Sequence, residues 1–471
     1  MLAFALAACV AQGAVASHVR RGNLTLLTLT DGAAEVSWIS ESSFRFTRCW
    51  NAACLSRPPV KEQLDVKLTT PPGALVWETR YVRLRLDHAT LALRAELVSD
   101  KTLLFEQSAA VRTQPAGVAA SIQLEAAERI YGFAAYGLGS EGKLDVRGER
   151  LNTATPFFLS SRGFGMYFGM PGAYDIDAGA SRGASLRIRN AQAQQWEQFV
   201  YYGPTPKEIL EEHHIISGAF PAPTLDDLRR GKPAYARDIP AIGDLAPAAM
   251  SGILVPALKQ VLAWSEYMSG PQWEPYLYTY LCEARDRGIP VVRPLAMQFP
   301  SDEQSASVTH SLMIGDEVLV ATTPRTYLPP GVWTDLETGQ VHRGKQSIDT
   351  PNPPRRLARN GTILPIQAAG ALELHYFPRL GAEFFLSESS DGLSQIHAAP
   401  AGDQLRLEIE SSAARNYEWV VHNVSAARSS SAIGAPASAH RYDAARRELR
   451  IAVRAPADSD IIINVVLEEP L

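Results

Sequence analysis

From Val19 to about Val200 the chain runs as short β-prone segments, each cut off after a few residues by Gly, Pro, Asn or Asp; Leu24–Leu29, Arg80–Leu86 and Ala184–Ile188 are examples. Backbone interrupted this often cannot sustain long helices, and strands this short bury apolar surface by pairing edge to edge in stacked sheets. Within Arg80–Leu86 charged and apolar side chains alternate, the pattern of a strand with one face on a core and one in water. The segment reads as one large β-sandwich.

Thr205-Pro206-Lys207-Glu208 is a capping box with proline at the first helical position, and Ile209, Leu210, His213 and Ile216 follow at helical spacing up to Gly218. Pro221 and Pro223 end that segment and mark a domain boundary. Between Leu225 and Pro300, Leu254, Leu258, Val261 and Leu262 form one apolar stripe and Leu277, Leu281 and Ala284 another, which stops at Gly288 and Pro290. Two helices are predicted there, after an irregular stretch from Leu225 to Ala248. From Ser311 the β rhythm returns: Glu317–Ala321, Pro329-Pro330-Gly331 and Thr362–Ile366 predict a small sandwich. Leu405–Ile409, Glu418–Val421, Leu449–Val453 and Ile461–Val466 predict a third β domain. The chain has 471 residues, more than a single core accommodates.

Met1 to Ala16 is apolar or small except for Gln12 and ends in Ala14-Val15-Ala16, which suits signal-peptidase cleavage before Ser17 and predicts export, to the periplasm or outside the cell. Leu6-Ala7-Ala8-Cys9 resembles a bacterial lipobox, making Cys9 a candidate lipid anchor. Cys49 and Cys54 flank a five-residue step that an oxidising compartment closes into a disulfide, whereas Cys282 lies in a helical pattern. No Cys or His spacing suits zinc or haem, so no metal or cofactor is expected. The net charge of −5 offers no basic excess to nucleic acid. After the leader, no stretch reaches the ~20 apolar residues of a membrane span.

Eight stretches are similar, in order, to the segments that surround the catalytic barrel of glycoside hydrolase family 31, the α-glucosidase and α-xylosidase family. Glu128–Phe133 resembles its entry strand. Leu144–Gly148 with Asn152 resembles the loop that reaches its active site, and Thr155–Gly165 its most recognisable N-terminal motif. Tyr201–Glu208 resembles the lead-in to the barrel. Pro275–Tyr280 and Gly288–Leu295 resemble the closing helix and exit strand, while Met313–Asp316 and Tyr327–Trp333 resemble the small sandwich behind it. The resemblance runs from about residue 120 to the end and fades after Phe377.

This implies a mostly β architecture: a leader at 1–16, a galactose-mutarotase-like N-terminal β-sandwich at 17–221, a short helical remnant of a (β/α)8 barrel at 222–297, and two small C-terminal β-sandwiches at 298–376 and 377–471. A whole barrel takes about 250 residues and seldom fewer than 200. Ala222 to Met297 leaves 76.

Retaining glycosidases need two carboxylates about 5 to 5.5 Å apart, one a nucleophile and one a general acid. The aspartate motifs that carry these roles in family 31 are missing, so no residue is nominated as catalytic. Trp333-Thr334-Asp335-Leu336-Glu337 has similar letters but lies in the small sandwich before a Thr338-Gly339 turn, and reads as a hairpin. Glu266 sits on a predicted helix, away from the strand ends where such barrels keep their chemistry. Asp226, Asp227, Asp238 and Asp244 fall in irregular sequence and read as solvated. Ala154 stands where relatives usually carry an acid near the sugar.

Sugar rings stack on aromatic faces, and Trp264, Trp273, Tyr276 and Tyr278 crowd beside the shortened region. The alternative role for these rings is burial between sandwiches. Arg147 and Asn152, through the active-site-loop resemblance, join Trp264 and Trp273 as candidate carbohydrate contacts. Three readings follow: a non-catalytic relic that binds oligosaccharide or acts as a scaffold, an active α-glycosidase with a rebuilt site, and the product of an internal deletion. A homodimer would cover edges left by the missing barrel.

Overall fold

The structure is a computed structural model that describes residues 13–50, 54, 63–114, 116–133, 145–154, 156–181, 183–218, 268, 270–388, 392–436 and 440–471. The predicted helix at Leu254–Leu262, the irregular stretch, Trp264, Glu266, Asp226, Asp227, Asp238, Asp244 and Cys9 lie outside these residues. The chain divides into two compact units, the first containing the described residues up to Ser217 and the second those from residue 268 on.

In the first unit, eight strands pair in the order 15–21, 24–29, 32–38, 43–50, 195–202, 164–168, 157–160 and 130–132. A ten-stranded sheet faces them, running from 150–153 at one end to 67–69 at the other. The strand Val82–Asp87 alternates buried and half-buried residues as its sequence demands. Trp38, Phe46, Phe158, Phe164 and Trp196 from one sheet meet Leu75, Trp77, Leu84, Phe105 and Ile188 from the other in a single core. Several polar atoms inside that core are paired: Trp77 Nε1–H donates to Thr25 Oγ1 at 2.9 Å, and Trp196 Nε1–H and Gln107 Nε2–H both donate to Gln198 Oε1, whereas Trp38 Nε1 meets no acceptor. Cys49 and Cys54 are joined by a disulfide.

The helix α1, Pro206–Ser217, begins with the Glu208 arm of the expected capping box, the Thr205 N–H and Oγ1–H both donating to Glu208 Oε2 at 2.9 Å. It stops at Gly218, which takes φ +77. Its apolar stripe lands on the eight-stranded sheet, where His213 fits among Phe157, Tyr167 and Tyr201 at ring-centre distances of 4.7 to 5.4 Å. Tyr201 lies 2.9 Å from His213 Nδ1, while Nε2 is buried with no partner.

In the second unit, helix α2, Glu274–Arg287, carries the predicted stripe and ends at Gly288 in the left-handed region, φ +70. The strand Val292–Pro294 that follows, expected as a barrel exit strand, instead pairs antiparallel with Ser311–Ile314 and becomes the edge of a six-stranded sheet. Among the described residues no series of parallel strands alternates with helices, so no barrel is present there. The six-stranded sheet and the hairpin of 325–328 with 346–349 enclose a small core of Leu295, Phe299, Met313, Leu319, Tyr327, Leu328, Trp333 and Leu357.

The last sandwich has two five-stranded sheets, and its border differs from the sequence expectation. Strands 363–368 and 371–376, assigned from sequence to the proximal sandwich, belong to the distal one, because Leu372–Tyr376 pairs in parallel with Tyr417–Val421. The boundary therefore falls near residue 362 rather than 376. Local pattern gives strand identity but not partner, and this partner lies some 45 residues downstream.

Helix α2 packs against both sandwiches. Tyr276 and Tyr280 lie against Phe384 of the distal sheet, ring centres 6.1 and 6.3 Å away. Both tyrosine hydroxyls donate to Glu317 Oε2 of the proximal sandwich, at 2.9 and 2.5 Å. Beside them the fully buried Arg293 pairs with Asp316 and Glu283, donates Nε–H to the Pro290 carbonyl at 2.8 Å, and lies 5.0 Å over the Tyr280 ring. Burial drives the Glu317 carboxyl up to about 7 against the pull of its two tyrosine donors.

Candidate functional site

A cleft of about 690 Å³ opens within the second unit. One wall is the hairpin turn Thr334–Gly339 and another the short turn at Gln272-Trp273. The third is the outer side of the distal sheet with its loop at Ala445–Glu448. Alternation builds the sheet wall: along 371–376, Leu372, Leu374 and Tyr376 enter the core, which leaves Glu373 and His375 on the opposite face.

Glu373, His375, His422, Glu448 and Arg450 form a closed ring of contacts there. His375 Nε2 is 2.8 Å from Glu373 Oε2, and His375 Nδ1 is 2.9 Å from His422 Nε2. His422 Nδ1 is 3.3 Å from Glu448 Oε1, and Arg450 Nη1 donates to Glu373 Oε1 at 2.9 Å and to Glu418 Oε2 at 2.8 Å. Burial lowers the His422 pKa, with Glu448 acting against it. The hydrogen bond from His375, with Arg450, holds Glu373 down at about 2. Phe377 caps the arrangement, stacked flat on His422 at 4.4 Å and 3°.

Across the cleft, Asp335 is the hinge of a turn. Its Oδ1 accepts the Glu337 and Thr338 N–H groups at 2.9 and 2.8 Å, and Arg355 closes a two-pronged ion pair on it. Arg356 Nε–H donates to Glu337 Oε1 at 2.7 Å and the same guanidinium lies 5.6 Å over Trp273. The look-alike Trp333–Glu337 segment is thus the hairpin its context predicts. Its carboxylates are engaged by arginines, and no second carboxyl is set up as a general acid.

The nominated residues are dispersed. Trp273 lines the cleft, buried, with an indole N–H that meets no acceptor. Tyr276 is fully buried in the Glu317 cluster, and Tyr278 is buried as well. In the first unit, Arg147 gathers backbone carbonyls: Nη1–H donors reach Ala126 and Glu128 at 3.0 and 2.7 Å, and Nη2–H reaches Gly183 at 3.0 Å. Asn152, exposed on the end strand of the large sheet, donates to Asp175 at 2.8 Å. The histidine ring and the arginines of the cleft were not singled out by sequence reasoning. His375 and His422 are 47 positions apart and nothing local couples them. Among the described residues no cluster of His, Cys, Asp and Glu is arranged to hold a metal ion.

Residues 288–364 match the model of the glycosyl hydrolase family 31 C-terminal domain, and their end coincides with the sandwich boundary near 362. These residues carry a family 31 C-terminal domain, and the comparisons support a relationship to glycoside hydrolase family 31. It is similar to alpha-glucosidase 2 of Bacillus thermoamyloliquefaciens, 32% identical over 158 residues that cover 30% of this chain and 20% of that one. Neutral alpha-glucosidase AB of Mus musculus is 34% identical over 103 residues, covering 19% of this chain and 11% of the relative. The matched segments thus span a fifth or less of these two relatives' lengths. Among solved structures, a family 31 dextranase of Flavobacterium johnsoniae complexed with isomaltotriose aligns with a TM-score of 0.75 at 12% identity, over 96% of this chain and 99% of that one. A Listeria monocytogenes protein in complex with glucose aligns at 0.78 and 11% identity, over 96% and 77%. At such identities these structures speak to fold, and the fold agrees.

Proposed function

We propose that this chain is a non-catalytic member of family 31 that binds carbohydrate without hydrolysing it. The observation that carries the proposal is the strand Val292–Pro294, which closes onto the proximal sandwich where a barrel would need it, within a segment of only 76 residues. Among the described residues no series of barrel strands offers a frame that would hold two carboxylates about 5 Å apart. Carbohydrate is the proposed ligand because relatives act on it and the second unit keeps a cleft walled by Trp273 and Phe377.

The test is titration calorimetry of the purified chain with maltose, isomaltose and xylosyl oligosaccharides, with product analysis after long incubation. Heat of binding with no product is expected. Turnover that disappears on substituting one acid of the 222–267 segment would overturn the non-catalytic reading and leave a rebuilt α-glucosidase site.

Export to the periplasm or outside the cell is part of the same proposal, supported by the apolar leader and by the Cys49–Cys54 bond. Intact-mass analysis of the native protein should find cleavage before Ser17; a chain retaining Met1 to Ala16 would sink the idea, and lipid mass on Cys9 would mean an anchored form. A homodimer is proposed as well, and only monomer at micromolar concentration in the ultracentrifuge would refute it.

A further inference from the structure

We propose that the cleft of the second unit takes an acidic saccharide, a sugar carrying a carboxylate, rather than a neutral one; this deepens the carbohydrate reading and rests on it. Every acid lining the cleft is already answered: Asp335 by Arg355, Glu337 by Arg356 and Glu448 by His422. Arg450 is likewise engaged, by Glu373 and Glu418. Two cations remain. Arg446 and Arg447, both exposed, line the cleft from the 445–448 loop, and neither guanidinium is held in an ion pair or side-chain hydrogen bond among the described residues.

The backbone that carries these two side chains is held in place. Asp443 Oδ1 accepts the Ala445 and Arg446 N–H groups at 2.9 and 3.1 Å, the Arg447 carbonyl accepts the Val424 N–H at 3.1 Å, and Arg447 takes a left-handed φ of +55. A spare donor lies further inside, where the Trp273 indole N–H has no acceptor. What such a cleft lacks is acceptor oxygens with negative charge. A cavity of about 690 Å³ lies in the range that encloses small ligands and has room for more than a bare inorganic anion. Guanidinium forks suit planar carboxylates.

The experiment compares digalacturonate with its neutral counterpart galactobiose by titration calorimetry, on the wild-type chain and on the double variant Arg446→Gln, Arg447→Asn. Asparagine is chosen at the second position because it tolerates positive φ. Wild type should prefer the acidic sugar by about tenfold, and the variant should lose that preference while its affinity for galactobiose is unchanged. Equal affinity for both sugars would overturn the acidic specificity and leave the carbohydrate reading standing. Tight digalacturonate binding that survives in the variant, or competition by sulfate at the same concentration as digalacturonate, would also overturn it. Absence of heat with these two sugars and with the neutral oligosaccharides above would remove the carbohydrate reading itself.

Discussion

Glu317 should make the second unit less stable as the pH rises from acid to neutral, and Glu317→Gln should abolish that loss. In an unfolded chain this carboxyl titrates near its usual 4.5; in the fold, burial raises it to about 7. A raised folded pKa means that the folded state holds the proton more tightly, so the contribution is fully present below about 4.5 and is lost as pH climbs through about 7. The gap of about two and a half pH units, at about 1.4 kcal/mol each, is worth roughly 3 kcal/mol. Glutamine keeps the shape and an oxygen for the Tyr276 and Tyr280 hydroxyls, and never ionises. Hydrogen exchange with mass spectrometry, read on peptides covering 274–321 in moderate denaturant, reports the opening energy of this region directly. Wild type and variant should be similar at pH 4.5, and by pH 8 the variant should be protected by roughly 3 kcal/mol more, because only wild type then has to ionise a buried group. Parallel pH profiles for the two proteins would refute the reasoning.

The first unit should respond to acid in the opposite sense. His213 is pushed down to about 3 by burial, so stability from its neutral form is present above 6.5 and is lost as pH falls toward 3, up to about 5 kcal/mol; His213→Asn should flatten that loss in thermal melts between pH 6.5 and 4. Gly315 takes φ +62, and a Cβ there would lie 2.2 Å from a Tyr280 ring carbon and 2.5 Å from the Tyr276 hydroxyl, so Gly315→Ala should destabilise the second unit by about 2 to 4 kcal/mol in urea unfolding. Arg293→Met should cost about 2 to 4 kcal/mol in the same assay, since it removes the buried cation shared by Asp316 and Glu283 and leaves Glu283 with Arg287. A loss under 1 kcal/mol would mean that the pair is replaceable by simple packing.

Much of this was written in local sequence. The cap Thr205–Glu208, the stops at Gly218 and Gly288, the alternation of Val82–Asp87, the hairpin at Asp335 and the Cys49–Cys54 link each depend on neighbours a few positions apart, where residue type fixes backbone conformation or face. The shortness of the segment between the sandwiches was legible too, since a count of residues bounds what a segment can build.

Tertiary structure decided what required distant partners. Sequence placed strands 363–368 and 371–376 in the proximal sandwich, and the parallel pairing with 417–421 moved them to the distal one. It offered Trp273 and Arg147 as equivalent sugar contacts, and the fold separated a cleft wall from a clamp on backbone carbonyls. The histidine ring and the two unpaired arginines could not be read at all, because a strand's pattern says which side chains share a face and not which other strand will bring a second set against them.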